Sequence, residues 1–133
     1  MVSLYVDTSA ALRAVLETGT SPSLERELAE APALITSRLS LVESARAILR
    51  QRQMRQHSDR VLSRAEQSLV QLWDRCDIWE LNSSICEAAA RLAPTKNLRT
   101  LDALHVATYF AARMRIGTLK MLTADVRMEQ ALE

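Results

Sequence analysis

The chain has 133 residues, 17 of them basic and 16 acidic, and 48% of all residues are apolar. This length fits one domain, and the apolar share is that of a folded globular protein rather than a disordered one. Aromatic residues make up only 4%, which argues against a platform of exposed rings that stacks single-stranded bases.

The spacing of apolar residues predicts strands and helices that alternate along the whole chain. Gly19, Pro22, Pro94 and Gly117 separate several of these elements. In chain order, the predicted elements are a strand over residues 2–6, helices over 10–16 and 23–31, a strand over 33–36, helices over 38–56 and 58–75, a strand over 78–81, helices over 84–93 and 100–115, a strand over 120–123, and a helix over 125–132.

This alternation predicts an α/β fold in which helices flank a central, mostly parallel sheet of four to five short strands. Ligand sites in such sheets form outside the carboxyl ends of the strands. Asp7 directly follows the first predicted strand, and Asp125 follows the fourth by two residues. Both acids are therefore expected at the edge of the sheet where ligands bind.

Features of a membrane or secreted protein are not visible in the sequence. No apolar run approaches the roughly 20 residues of a membrane span, and the N-terminus lacks the pattern of a signal peptide. Cys76 and Cys86 do not form a CxxC pair and carry no metal signature. We therefore expect a cytoplasmic protein in a reducing compartment, with no membrane partner.

Four acids are candidates for a metal-dependent phosphodiester nuclease. Clustered carboxylates repel one another, so such a site must bind protons or cations. Mg²⁺ and Mn²⁺ prefer oxygen ligands, and a bound ion polarises a phosphoryl oxygen and lowers the pKa of a bound water. The candidate ligands are Asp7, Glu43, Asp102 and Asp125.

Each of these acids also has a purely structural interpretation. Asp7 and Asp125 are placed to cap helices, and Asp102 lies in the first turn of a helix that Thr100 is predicted to cap, where an anion complements the helix dipole. Glu43 shares a helix face with basic side chains at i+3 and i+7, as a solvated ion pair would. Taken singly, no acid establishes a site.

Four segments together resemble the PIN-domain ribonucleases, especially the VapC-type toxins of bacterial toxin–antitoxin pairs. Their order and spacing cover nearly the whole chain, and the third segment is the most specific. The segments are LYVDTSA at residues 4–10, TS and LVE at 36–37 and 41–43, RTLDALHVA at 99–107, and LTAD at 122–125.

The resemblance implies a single PIN domain over residues 1–133 with Mg²⁺- or Mn²⁺-dependent endoribonuclease activity, an RNA substrate, a cognate antitoxin and commonly a homodimer. The acidic quartet of the family maps onto Asp7, Glu43, Asp102 and Asp125. Three hydroxyl positions near the metal map onto Thr8, Ser9 and Thr123, of which Thr123 is the best candidate for orienting a ligand.

Two departures from the family pattern accompany this match. Met128 stands where some relatives place a further acid, and Glu129 is a weak substitute for it. The family usually continues beyond the last helix into another short strand, so one edge of the sheet is expected to be shorter here. Neither departure removes a member of the quartet.

Basic residues and one histidine are further candidates. Six arginines lie between residues 46 and 64, with Asp59 as the only acid. Arg46 and Arg50 in that run, and Arg99 before the Asp102 helix, are candidate contacts to RNA phosphates or to an antitoxin; a solvated helix surface is an equal interpretation of the run. His105 is placed as a general base would be, but a packed or hydrogen-bonded helix histidine is favoured.

Two other functions stay open at this point. One is a PIN nuclease that processes RNA without an antitoxin. The other is a non-catalytic module in which the acids hold a structural ion or only cap helices. The RNA target, the cleavage motif, the number of metal ions and the identity of the antitoxin are not encoded in any pattern of this sequence.

Overall fold

Four strands and seven helices make up the parts of the chain that the computed structural model describes, residues 2–92 and 98–132. In chain order they are β1 (Leu4–Val6), α1 (Thr8–Leu16), α2 (Pro22–Glu30), β2 (Leu34–Ser37), α3 (Arg38–Met54), α4 (Asp59–Asp74), β3 (Cys76–Trp79), α5 (Ser83–Ala90), α6 (Thr100–Arg115), β4 (Lys120–Leu122) and α7 (Val126–Ala131). The predicted α/β class is confirmed. Within these residues, no helix has both the length and the apolar character that crossing a bilayer needs.

Several predicted boundaries differ from those of the structure. The third strand begins at Cys76 and ends at Trp79, two residues earlier at each end than predicted, because an edge strand is only partly buried and leaves a weak hydrophobic pattern. Pro22 is the first residue of α2 rather than a breaker before it, since the first helical position does not need a backbone N–H. The predicted helix end at residue 93 lies outside the described residues.

The sheet has the strand order β3-β2-β1-β4, and every pairing is parallel. In β1, Leu4 aligns with Leu34 on one side and with Lys120 on the other. The chain thus first builds outward from β1 through β2 to β3, and then returns to place β4 on the opposite side of β1. The carboxyl ends of β1 and β4 therefore border the switch point where such sheets bind ligands.

Alternate side chains of the strands enter two separate cores, one on each face of the sheet. In β1, Leu4 and Val6 join the core beneath α1 to α4, whereas Tyr5 joins the core beneath α6 and α7. Residues from β2 and β4 alternate in the same way. Helices on both faces thus hold the sheet rigidly and fix the ends of β1 and β4 relative to α3 and α6.

Candidate active site

Asp7 lies at the carboxyl end of β1 and begins α1 as its N-cap residue. Its side chain is only 3% exposed. Oδ1 accepts hydrogen bonds from the Ala10 backbone N–H at 3.0 Å and from the Ser9 hydroxyl at 2.7 Å. Oδ2 accepts one from the Thr123 hydroxyl at 2.5 Å. The predicted capping role of Asp7 is therefore confirmed.

The environment of Asp7 makes its negative charge costly. Burial raises the pKa of this carboxyl above its ordinary value, although the hydrogen bonds from Thr123, Ala10 and Ser9 oppose that rise. All three direct partners are neutral donors. A buried carboxylate that has no cationic partner becomes more stable when it binds a proton or a metal ion.

Thr123 connects the ends of β1 and β4. Besides donating to Asp7, its hydroxyl accepts a hydrogen bond from the Asp125 backbone N–H at 3.0 Å and lies 3.2 Å from the Ser9 hydroxyl. Ser9 in turn accepts one from the Ala124 backbone N–H at 2.9 Å. Thr123 and Ser9 therefore hold the residues after the two strands in a fixed relation to the Asp7 carboxylate.

Glu43, in α3, is half-buried and reaches across to α1 and α6. Its Oε1 accepts a hydrogen bond from the Thr8 hydroxyl at 2.7 Å and lies 2.6 Å from Nε2 of His105. Burial raises the pKa of this carboxyl, but the bonds from His105 and Thr8 outweigh it and the net shift is downward. The interpretation of Glu43 as a solvated partner of Arg46 and Arg50 was wrong, because α3 turns this side chain inward while those arginines stay exposed.

His105 is 3% exposed, and both of its ring nitrogens have partners. Nδ1 lies 2.8 Å from the Tyr5 hydroxyl, and Nε2 faces Glu43 and, at 3.4 Å, Thr8. The prediction of a hydrogen-bonded helix histidine is confirmed. Tyr5 was not singled out from the sequence. Its signal is its place in β1, where it points to the face opposite Leu4 and Val6.

Asp125 and Asp102 occupy helix N-termini near the same edge. Asp125 caps α7 by accepting from the Arg127 backbone N–H at 2.9 Å, and it pairs with the Arg127 guanidinium at 3.2 Å. Slight burial raises the pKa of Asp125, but Arg127 outweighs it and the net shift is downward. Asp102 accepts a bond from the Arg99 backbone N–H at 3.2 Å. The cap of α6 is therefore Arg99, not Thr100 as predicted.

The candidate arginine contacts lie on exposed surfaces. Arg46 and Arg50 are exposed on α3, and Arg99 is exposed at the start of α6. Part of the arginine run is engaged within the chain, since Arg52 pairs with Asp59 and Glu66 in α4. The run is therefore partly a structural ion-pair surface.

A family model for the PIN domain matches residues 4–131. The chain belongs to the PIN-domain family. Its relatives include Ribonuclease VapC46 of Mycobacterium tuberculosis (strain ATCC 25618 / H37Rv), which is 29% identical over 131 residues. The alignment covers 98% of this chain and 91% of VapC46. The resemblance to VapC-type ribonucleases that the sequence segments predict is therefore confirmed.

Solved structures show the same fold. The crystal structure of PAE2754 from Pyrobaculum aerophilum matches with a TM-score of 0.69 at 18% identity, covering 98% of this chain and 79% of that chain. VapC20 of Mycobacterium tuberculosis, described as a sarcin-ricin loop cleaving toxin, matches at 0.65 and 18%, covering 96% and 94%. VapBC2 from Rickettsia felis, bound to a DNA fragment from its promoter, matches at 0.62 and 14%, covering 92% and 99%.

In this PIN domain Thr8 directly follows Asp7 and donates to Glu43, and Thr123 donates to Asp7 and accepts from the Asp125 backbone N–H. Asp102 lies near enough to Arg127, the partner of Asp125, to raise the pKa of that guanidinium. Among residues 2–92 and 98–132, no three His, Cys, Asp or Glu side chains already form a group that could hold a metal ion. The donor chemistry nevertheless fits a hard divalent ion, because such ions prefer oxygen ligands and the buried Asp7 carboxylate lies among hydroxyl oxygens.

Proposed function

We propose that this PIN domain is a VapC-like endoribonuclease toxin that depends on Mg²⁺ or Mn²⁺, acts in the cytoplasm, and is neutralised by a cognate antitoxin. One observation carries the proposal. In a chain that matches the PIN family over residues 4–131, the Asp7 carboxylate is buried at the switch point of the sheet with only neutral hydrogen-bond donors on its oxygens. This arrangement favours the binding of a cation.

The relatives support the choice of substrate and partner. VapC46 is named a ribonuclease, and VapC20 is described as a toxin that cleaves the sarcin-ricin loop. The Rickettsia felis structure is of VapBC2 with promoter DNA. By analogy, we assign RNA as the substrate class here and a protein antitoxin as the partner; the RNA target itself is left open.

The proposed metal ligands are the acidic quartet of the family, and the contacts of Asp7 and Glu43 support this choice. Bound ions would be held by Asp7, Glu43, Asp102 and Asp125, and would activate water and stabilise charge on the phosphate. Thr123 and Ser9 orient the Asp7 carboxylate by donating to different oxygens, and Thr8 orients Glu43. These hydroxyls keep the acids from turning away when the ion is absent.

Positive charge for the RNA backbone would come from Arg46, Arg50 and Arg99. Guanidinium groups contact phosphates without reading the base sequence. Replacing Arg46 and Arg50 together by Gln should weaken RNA binding and lower its dependence on salt, because fewer counterions are released. Arg26→Gln, on the exposed surface of α2, is the matched control. An unchanged salt dependence in the double variant would remove these two residues from the proposal.

We also propose a homodimer, because the family commonly forms one. Sedimentation equilibrium of the purified chain measures the molar mass in solution directly. A mass of about twice the 14.9 kDa of the chain is expected. A monomer at all concentrations would contradict the homodimer and leave the nuclease proposal intact.

The decisive test of the class is expression in cells with and without the neighbouring gene, followed by mapping of new RNA 5′ ends. The proposal predicts growth arrest with new 5′ ends, relief by the neighbour, and neither effect with Asp7→Asn. New 5′ ends without arrest and without any influence of the neighbour would favour an RNA-processing nuclease instead.

A non-catalytic module is the second candidate, and one observation favours it. Asp7, Asp102 and Asp125 each accept a backbone N–H at the start of a helix. Capping alone would account for acids at these positions. Mn²⁺ binding by the purified protein without cleavage of any RNA, including total cellular RNA, would support this candidate against the nuclease.

A further inference from the structure

A chain of hydrogen bonds runs from the centre of the sheet to Glu43. Tyr5 is fully buried in β1 and its hydroxyl lies 2.8 Å from Nδ1 of His105. On the other side of the same ring, Nε2 lies 2.6 Å from Oε1 of Glu43. The aromatic rings of Tyr5 and His105 meet edge to face, with centroids 6.0 Å apart. The imidazole is therefore held on both edges by side chains from two other elements.

The chemistry of the end groups fixes the direction of these bonds. A tyrosine phenol has an ordinary pKa of about 10, so the Tyr5 hydroxyl keeps its proton at neutral pH. A phenol that donates to Nδ1 requires the neutral ring to carry its proton on Nε2, which then donates to the Glu43 carboxylate. The opposite tautomer would point a nitrogen lone pair at a carboxylate oxygen, which is repulsive.

The two hydrogen bonds to Glu43 converge on one oxygen. Thr8 donates to Oε1 from α1, and His105 approaches the same atom from α6. Within the described residues, Oε2 accepts no hydrogen bond from the protein. Two donors on one oxygen fix the plane of the carboxylate and leave the other oxygen available as a ligand.

We propose that Tyr5 and His105 are positioning residues for Glu43. The Tyr5 hydroxyl donates to Nδ1 of His105, and Nε2–H of the same ring donates to Oε1 of Glu43. The carboxylate is thereby held so that its other oxygen, Oε2, faces a divalent ion. The inference rests on the proposed function in taking Glu43 as a metal ligand. Partners of this kind orient metal ligands in other sites, and their loss weakens metal affinity by roughly 10–100-fold.

The first experiment measures the protonation of the ring directly. The ¹⁵N chemical shifts of both histidines, recorded near pH 8 by long-range ¹H–¹⁵N correlation, distinguish the two tautomers. His57 is exposed between α3 and α4 and serves as the internal reference. His105 is expected to carry its proton on Nε2 alone, and Tyr5→Phe is expected to lower the population of that form. A proton on Nδ1, alone or together with one on Nε2, would overturn the assigned direction.

The second experiment measures Mn²⁺ affinity by electron paramagnetic resonance. Tyr5→Phe removes the hydroxyl that fixes His105, and His105→Phe removes the donor to Glu43. Tyr109→Phe is the matched control, because Tyr109 is also buried on the same face but donates to the Leu119 carbonyl at 3.1 Å. We expect the Mn²⁺ affinity to decrease by roughly 10–100-fold in His105→Phe and by about 10-fold in Tyr5→Phe. The affinity should stay unchanged in Tyr109→Phe.

A positioning role also predicts how catalysis responds. Tyr5→Phe should raise the metal concentration needed for half-maximal RNA cleavage and leave kcat at saturating metal nearly unchanged. His105→Gln, whose amide can still donate to Glu43, should recover part of the affinity that His105→Phe loses. Equal Mn²⁺ affinity in Tyr5→Phe, Tyr109→Phe and the natural protein would overturn the inference alone. Absence of both Mn²⁺ binding and RNA cleavage in the natural protein would overturn the proposed function as well.

Discussion

Asp7 and Asp125 occupy matching places in the fold but different chemical environments. Each follows one of the two adjacent strands β1 and β4, and each caps the helix that comes next. Asp7 is buried, accepts only neutral donors, and has a raised pKa. Asp125 is more exposed, pairs with the guanidinium of Arg127, and has a lowered pKa.

The two acids differ in the charge of their surroundings and not in their capping role. Both residues satisfy a helix N-terminus, so capping does not distinguish them. Asp125 already has a cation in Arg127, whereas the charge on Asp7 has none bound to it directly. A divalent ion at this edge should therefore gain most of its binding from Asp7, with Asp125 contributing less.

The largest expected effect is on RNA cleavage. Asp7→Asn keeps the shape of the side chain and removes its charge, so we expect cleavage to fall by at least about 100-fold. In Asp125→Asn the cleavage rate should fall by a smaller factor, since Arg127 already neutralises that acid. Initial rates on a defined RNA at saturating Mg²⁺, with folding checked by circular dichroism, measure both. Equal losses in the two variants would break the proposed difference between the sites.

Metal binding should also stabilise the folded protein. At a concentration of 100 times Kd, an ion that binds only the folded state adds about 2.7 kcal/mol. For a chain of this size that is roughly 10 °C in Tm. Thermal melts with Mn²⁺ and with chelator should show this difference in the natural protein. The same melts of Asp7→Asn should show little difference, and an undiminished shift there would exclude Asp7 as a main ligand.

The raised pKa of Asp7 predicts a pH-dependent cost in the metal-free protein. Between the ordinary pKa of 3.8 and the raised folded value, the folded state binds more protons than the unfolded state, so stability falls as pH rises through that window. Glu43 and Asp125 act oppositely, because their lowered pKa values give stability that is lost as pH falls through those values.

Asp7→Asn removes only the first of these contributions. The free energy of unfolding of the variant, minus that of the natural protein, should therefore increase as pH rises above 3.8 and then level off. Urea denaturation in chelator across that range measures the difference. A difference that is constant with pH would mean that Asp7 keeps an ordinary pKa in the folded protein.

The smallest effect concerns the cap of α7. Asp125→Ala removes the side-chain acceptor for Arg127 N–H and should cost about 1 kcal/mol. Asp125→Asn caps equally well and loses only an exposed ion pair, so its cost should stay below about 0.5 kcal/mol. Urea denaturation at neutral pH compares the two. If Asn is as destabilising as Ala, the pairing with Arg127 rather than the cap holds α7.

The sequence predicted the positions of Asp7 and Asp125 because strand ends and caps are local features. Apolar runs followed by Asp mark both positions, and parallel strands bring their carboxyl ends to one edge. The cap of α6 was placed one residue too late, at Thr100, since Arg99 is an unusual cap and the bond from its backbone to Asp102 compensates for it. The edge strand β3 was shifted because its partial burial weakens the pattern.

The network around Glu43 could not be predicted in the same way. Glu43 and His105 are 62 residues apart, and Tyr5 and His105 are 100 apart. Their contact depends on how α3 and α6 lie against the sheet, which no local pattern encodes. Helical spacing showed only that Glu43 shares a face with arginines, and this suggested a solvated pair where the structure has an inward-pointing carboxylate.

The position of a bound ion tests directly whether Asp7 and Glu43 hold a divalent metal. Crystals of the protein soaked in Mn²⁺ and measured at the manganese absorption edge locate the ion by its anomalous signal. We expect a peak within ligand distance of the Asp7 carboxylate and of Oε2 of Glu43. Crystals that contain no peak at Asp7 under conditions in which the same preparation cleaves RNA would contradict it.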